Sequence, residues 1–232
     1  MFRFTISIFL LLLSGAVLAQ NPDTPNGHLD PRTVDIQTKA DDLYRRGHWE
    51  RAHFIYVHEL AAIGDKYAQY MAGYMHLHGQ GVRKDPIEAS AWYRIAAERG
   101  APEFVAVRDQ LLESMSPEAL ARSDAKYIEL RTKYSDIMLV LRQLKKEIEL
   151  EAVGMTGSRL PTSTGAVIVV EAGGTSITQD EYMRRIRARM QPGLDYITSK
   201  LNIEPIEGAV DESELNDLWA KVTEYLGVID DR

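Results

Sequence analysis

From Thr33 onward, apolar residues recur at intervals of three and four, which is the period of an amphipathic α-helix. This pattern predicts two helical hairpins, over 40–64 and 65–100. Gly64 and Gly100 end their second helices, because glycine adopts the left-handed conformation that closes a helix. Asp85-Pro86-Ile87-Glu88 predicts a helix start with Asp as N-cap, Pro at the first position and Glu closing a capping box.

The two hairpins align with each other on their second helices. Ala52 matches Ala89 at an offset of 37, and Gly64 matches Gly100 at an offset of 36. A period of this size is typical of a solenoid built from helix pairs. We therefore assign residues 33–115 to helical repeats, the last helix of which starts at Ala101-Pro102.

A single long capping helix is predicted over 116–151. It carries apolar residues at alternating intervals of three and four: Tyr127, Leu130, Tyr134, Ile137, Leu141, Leu144 and Ile148. Such a heptad stripe is either the seam of a homodimer or a face that packs within the chain. About three heptads is borderline for an independent coiled coil, so intramolecular packing is favoured.

Residues 152–232 form a less regular C-terminal region. We expect a loop over 154–165, one short strand over 166–170, and a helix opened by the capping box Thr178-Gln-Asp-Glu181 and kinked or ended by Pro192. A last helix opens near Asp211, with one apolar face: Leu215, Leu218, Trp219, Val222 and Leu226. The expected fold class is thus mainly all-α, a short α-α superhelix with a long capping helix.

The first residues have the pattern of a secretory signal peptide. Arg3 supplies the positive charge, an apolar run follows, and small side chains end at Ala19. We expect a signal peptide over 1–19, cut between Ala19 and Gln20, and a flexible leader over 20–32. The mature protein is then periplasmic or secreted.

Composition excludes several classes of function. The 232-residue chain has a net charge of −7, which becomes more negative once Arg3 is removed, so nucleic acid and anionic membranes are poor partners. It has no cysteine, which excludes disulfides and thiol catalysis. No lysine-bearing phosphate loop and no Gly-x-Ser-x-Gly motif is present.

The second hairpin carries twelve residues at characteristic spacings: Ala68, Gly73, Gly79, Gly81, Val82, Asp85, Ala89, Trp92, Tyr93, Ala96, Ala97 and Gly100. Through these positions it resembles the Sel1-like repeat, a relative of the tetratricopeptide repeat. Ala72 and His76 depart from the family pattern, where Leu and Tyr are usual. The first hairpin follows the tetratricopeptide pattern more loosely, through Ala40, Leu43, Gly47, Trp49, Ala52 and Tyr56.

The resemblance implies a scaffold that binds another protein, without a cofactor or catalytic residues. In such solenoids the first helix of each pair lines the binding surface, and Gln37 lies in the corresponding part of the first hairpin. The alternative is that the tyrosines pack between neighbouring helices, as aromatic stripes often do. The register selects five candidate partner-binding residues: Tyr44, Tyr67, Tyr70, Tyr74 and Leu77.

Two other clusters carry weaker predictions. The histidine pairs of 53 and 58, and of 76 and 78, lack the four-residue spacing of helical metal ligands, so we predict no metal site. The arginines at 184, 185, 187 and 189 indicate either a solvated helix face paired with the acidic C-terminal segment, which is favoured, or a site for an anionic partner. The alternative function is an enzyme or ligand-binding protein of the cell envelope, with its site in or against the C-terminal region.

Overall fold

The computed structural model describes residues 31–154, 168–170, 176–206, 210 and 212–227. The predicted signal peptide and most of the leader lie outside these residues. So does the predicted loop, apart from Gly154. Within the described residues the protein is mainly α-helical, as predicted.

The first hairpin pairs α1 (Pro31–Arg45) with α2 (Trp49–Ile55). One π turn (Tyr56–Leu60) and one 3-10 turn (Ala61–Ile63) extend α2 to Gly64, whose φ of +88° confirms the predicted glycine cap. The hairpin buries small and aliphatic side chains against the next helix, α3 (Lys66–His78). This core contains Ala40, Ala52, Ile55, Tyr56, Leu60, Ala68, Met71 and Met75.

The second hairpin pairs α3 with α4 (Pro86–Ala96), which a 3-10 turn extends to Gly100. The Asp85 carboxylate accepts hydrogen bonds from the amides of Ile87 (2.9 Å) and Glu88 (3.1 Å), which confirms Asp85 as the N-cap. The other half of the predicted capping box is wrong. The Asp85 amide donates to the carbonyl of His76, and the Glu88 carboxylate lies 3.3 Å from Lys126 Nζ.

Two glycines of the second hairpin allow backbone and ring to approach closely. A Cβ on Gly73 would lie 2.7 Å from the ring of Tyr93, so only glycine lets α3 pack this tightly on α4. A Cβ on Gly81 would lie 2.4 Å from the carbonyl carbon of Trp49, and Gly81 also has a φ of +71°. The loop between α3 and α4 is therefore in direct contact with the start of α2, which joins the two hairpins.

The single helix predicted over 116–151 is wrong. After α5 (Pro102–Glu113), α6 (Pro117–Tyr134) ends at Ser135, whose ψ of 148° is extended, and α7 (Asp136–Gly154) follows at once. The break is stabilised by the second hairpin. Gln69 donates a hydrogen bond of 3.1 Å to the Tyr134 carbonyl, and the Asp136 carboxylate lies between two cations of the repeat.

The break divides the heptad stripe between two cores. Leu130 packs with Trp92 and Ala91 against α4, with Tyr127 and Tyr134 at the margin. Beyond the break, Ile137, Leu141 and Leu144 belong to a C-terminal core. The prediction of intramolecular packing is therefore confirmed.

The C-terminal core joins α7 to α8 (Gln179–Leu201) and α9 (Glu212–Tyr225). Of the two outcomes predicted for Pro192, a helix end is wrong, because α8 continues past the proline and buries residues on both sides of it, and a kink stays a prediction. That buried face comprises Ile186, Met190, Leu194 and Ile197, and the predicted apolar face of α9 lies against it.

A short hairpin precedes α8. Strand β1 (Ile168–Val170), within the predicted strand of 166–170, pairs antiparallel with β2 (Ser176–Thr178), with Val169 opposite Ile177. Strand β2 was not predicted, because only one of its three residues is strongly apolar. Thr178 ends it and caps α8, since its hydroxyl accepts a hydrogen bond from the Glu181 amide.

Candidate functional site

The first helices of successive pairs, α1, α3 and α5, bring aromatic side chains together on one side of the repeats. Tyr44 of α1 donates a hydrogen bond of 2.7 Å to Gln80 Oε1, just beyond α3. Burial, with Tyr74 close by, raises the pKa of Tyr44 to about 12, above the usual value of a tyrosine near 10. We call Tyr44, Tyr70 and Tyr74 the tyrosine face.

Tyr70 is the central residue of the tyrosine face. Its ring stacks on Tyr93 and on Phe104, both at 5.4 Å between centroids, and lies 6.4 Å from the ring of Tyr74. Tyr74 in turn contacts His78 at 4.3 Å. Since Tyr93 and Phe104 are buried, Tyr70 is held rigidly. The ring contacts that the described residues make with half-buried Tyr74 are tilted ones, with half-buried Tyr70 and exposed His78.

The remaining candidate residues lie around this face in different environments. Tyr67 packs edge-on against the buried ring of Tyr56 at 6.4 Å, and this contact favours a structural role for Tyr67. Leu77 and Gln37 are half-buried. The structure thus brings Tyr44, Tyr70 and Tyr74 together and directs Tyr67 towards the first hairpin.

Three neighbours of the tyrosine face were not predicted from the sequence: His78, Gln80 and Phe104. Phe104 follows Tyr67 at the repeat offset of 37, so the period itself could have identified it. Gln80 and His78 carry no such signal, because the loop that places Gln80 beside Tyr44 is specific to the second hairpin.

The histidines form a contact between α2 and α3 that spacing did not predict. His53 and His76 lie edge to face at 5.1 Å, and His53 Nε2 and His76 Nδ1 have no hydrogen-bond partner in the described part of the chain. Burial, and then the neighbouring histidines, lower the pKa of His53 to about 4. Among the described residues, no three His, Cys, Asp or Glu side chains converge as metal ligands would.

The arginine cluster of α8 lies on an exposed face. Arg184 and Arg185 contact Glu181 one turn earlier, and Arg189 Nη2 lies 3.5 Å from Glu147 Oε2 of α7. These contacts support a solvated, ion-paired helix face. Pairing with the acidic C-terminal segment stays a prediction.

With this geometry established, comparison with known proteins identifies the second hairpin. Residues 66–100 match the family model described as the Sel1 repeat. This hairpin is a Sel1-like repeat. No curated protein and no solved structure gives a significant match to the chain.

Sel1 repeats are generally protein–protein interaction modules and are typically not enzymes. The matched segment runs from Lys66 to Gly100, so it contains Tyr70 and Tyr74 but excludes Tyr44 and Phe104. No helix in the described ranges is long and apolar enough to cross a membrane.

Proposed function

We propose that this chain is a protein-interaction scaffold of the bacterial periplasm or of the secreted fraction, and that its partner binds on the tyrosine face. One observation carries the proposal: Tyr44, Tyr70 and Tyr74, which belong to two hairpins, lie together on one partly exposed surface. Tyr70 and Tyr74 lie on the first helix of the Sel1-like repeat, and Tyr44 lies on the first helix of the preceding hairpin. The first helix of each pair is where the resemblance expects contacts with a partner.

The chemistry of the face suits a segment of polypeptide. A tyrosine offers a large contact area with few rotors to immobilise, and its hydroxyl pairs with the peptide groups of a partner. Tyr70 is held by stacking before any partner arrives, so binding costs less conformational entropy there. Tyr44 is uncharged at neutral pH, as an ordinary tyrosine is, and its pKa of about 12 keeps it a neutral hydrogen-bonding group into alkaline solution.

A capture experiment tests this proposal with a variant that spares the core. The mature protein is immobilised, and a periplasmic extract of the source organism is passed over wild type and Tyr74→Ala. We expect the specifically retained protein to be lost with Tyr74→Ala, since Tyr74 contributes contact area without closing a core.

The matched control is Phe54→Ala. Phe54 is 57% exposed on α2, a second helix of its pair, so this variant removes an aromatic ring of similar size from outside the proposed site. Equal retention by wild type and Tyr74→Ala, or selective loss with Phe54→Ala, would exclude the tyrosine face as the binding surface.

The proposed location has a separate test. Export with cleavage by signal peptidase gives a mature protein in the periplasmic or secreted fraction that begins at Gln20. Cell fractionation followed by N-terminal sequencing measures both. A cytoplasmic protein that retains the residues before Gln20 would contradict it.

A further inference from the structure

A cleft lies where the repeats meet the C-terminal helices. It has a volume of about 540 Å³ and is lined by side chains of helices α4 to α9 and of the 3-10 turn that extends α4. Volumes of about 300–1,000 Å³ are typical of sites for small molecules or short peptide ends. The cleft lies on other helices than the tyrosine face, so a ligand site in the cleft does not depend on the function proposed for the tyrosine face.

The charge of this cleft is unusual for an acidic protein. Four cations line it: Arg94, Arg108, Arg131 and Lys200. Arg94 is paired with Asp124 at 2.6 Å, and Arg108 with Asp109 at 2.7 Å. Arg131 and Lys200 have no ion pair in the part of the chain that the structure describes.

The anions near the cleft do not compensate these two cations. Asp109 already pairs with Arg108, and the Glu98 carboxylate lies 3.0 Å from Lys66 Nζ and accepts the amide of Asp136. Two positive charges in a cleft therefore remain available to a ligand of opposite charge.

Tyrosine rings hold the unpaired cations in place. The Arg131 guanidinium lies 5.2 Å from the ring centroid of Tyr127 and 5.5 Å from that of Tyr225, and Lys200 Nζ lies 5.6 Å from that of Tyr196. Ring faces attract cations but leave their N–H donors without acceptors. The Arg131 Nε atom is buried and has no hydrogen-bond partner among the described residues, so the protein itself does not fully satisfy this guanidinium.

The chemistry of the acceptor follows from these donors. A guanidinium presents a planar fork that matches the two oxygens of a carboxylate, and an ammonium provides a second point charge. We propose that the cleft binds a ligand with two carboxylates, as found in a small dicarboxylic acid or at a peptide end formed by glutamate. Tyrosine side chains would surround the body of that ligand.

Binding is measured on the full mature protein by isothermal titration calorimetry with three probes: glutarate, the peptide Ala-Ala-Ala-Glu with a free C-terminus, and inorganic phosphate. Saturable binding of glutarate would identify the ligand as a free dicarboxylic acid. Binding of the peptide but not of glutarate would identify the ligand as the C-terminus of a polypeptide that ends in glutamate. Failure of both carboxylate probes, or equally tight binding of phosphate, would overturn the proposal.

Variants assign the binding to the cleft. Arg131→Gln and Lys200→Gln are each expected to weaken the binding at least tenfold, because each removes one charge-assisted hydrogen bond. Arg83→Gln is the matched control, since it changes the net charge equally at a side chain that is 92% exposed and outside the cleft. Affinity unchanged in both cleft variants, or lowered equally by Arg83→Gln, would exclude the cleft.

The Lys200→Gln variant also guards against a folding effect, because Lys200 is exposed and lies outside the hydrophobic cores that the described residues form. The carboxylate probes can fail to bind while Tyr74→Ala still abolishes protein capture. The probes can equally bind while Tyr74→Ala leaves capture unchanged, so each proposal can fail without the other.

Discussion

Asp136→Asn is expected to destabilise the fold strongly, because Asp136 lies in a buried charge network between the Sel1-like repeat and the C-terminal helices. Its side chain is 7% exposed. One carboxylate oxygen lies 3.1 Å from Lys66 Nζ, and both accept hydrogen bonds of 2.9 Å from the Arg99 guanidinium. Glu98 supplies the second negative charge of the network.

The substitution preserves the shape of the side chain and removes its charge. Buried Lys66 and half-buried Arg99 are then left with the single carboxylate of Glu98. Breaking a buried ion pair by removing one partner costs about 3–5 kcal/mol, so we expect the free energy of unfolding to fall by about 3 kcal/mol or more. The loss arises at the break between α6 and α7, so the C-terminal helices are also expected to unfold more independently of the repeats.

Urea denaturation followed by circular dichroism measures this change. Asp124→Asn is the matched control: Asp124 is bonded to Arg94 at only 2.6 Å, yet its side chain is 54% exposed. Exposed ion pairs contribute about 0–1 kcal/mol, so the control should unfold at nearly the wild-type urea concentration. A similar small effect for both variants would refute the reasoning from burial.

The effect of pH on this difference gives a second check. Burial by itself would raise the pKa of Asp136, but Lys66 and Arg99 hold it below the usual value of an aspartate. Stability from Asp136 is therefore present above the unfolded pKa of about 3.9 and is lost as the pH falls through the lower folded pKa. The difference in the free energy of unfolding between wild type and Asp136→Asn should be constant near neutral pH and should become smaller only in that acid range.

Two further predictions concern the hairpins. Gly81→Ala should lower the free energy of unfolding by about 2–4 kcal/mol, because the new Cβ would clash with the Trp49 backbone at a position of positive φ. Gly47→Ala is the control, since Gly47 has a similar φ but open space around it, and it should lower the free energy of unfolding by only about 1–2 kcal/mol in the same urea titration. Burial and the neighbouring histidines lower the pKa of His53 to about 4 in the folded protein. As the pH falls, this histidine therefore takes up its proton in the unfolded chain first, and the stability of the wild type should decrease between about pH 6.5 and pH 4. His53→Gln should flatten that decline in thermal melts, and an unchanged slope would contradict a buried neutral His53.

The repeat and its caps could be predicted from the sequence because they depend on local rules. Glycine at a helix end and Asp before Pro act within a few residues, and the structure places Gly64, Gly100 and Asp85 in those roles. The break at Ser135 could not be predicted, because the contacts of Lys66, Arg99 and Gln69 that stabilise it come from residues distant in sequence. On a helical pattern alone, α6 and α7 are one helix.

The candidate site was predictable in part for the same reason. Repeat register places Tyr70 and Tyr74 on the first helix, but it does not distinguish them from Tyr67, whose ring faces Tyr56. The cleft between repeats and C-terminal helices could not be found by register, because Arg131 and Lys200 are brought together by packing of helices that follow no common repeat.

The central claim is that a protein partner contacts the tyrosine face. Site-specific photocrosslinking tests it directly, with benzoylphenylalanine placed in living cells at Tyr74 and, in a separate variant, at Phe54. The account predicts one defined protein adduct from position 74 and none from position 54, identified by mass spectrometry. Adducts from position 54 alone, or none from position 74 in cells that export the protein, would contradict it.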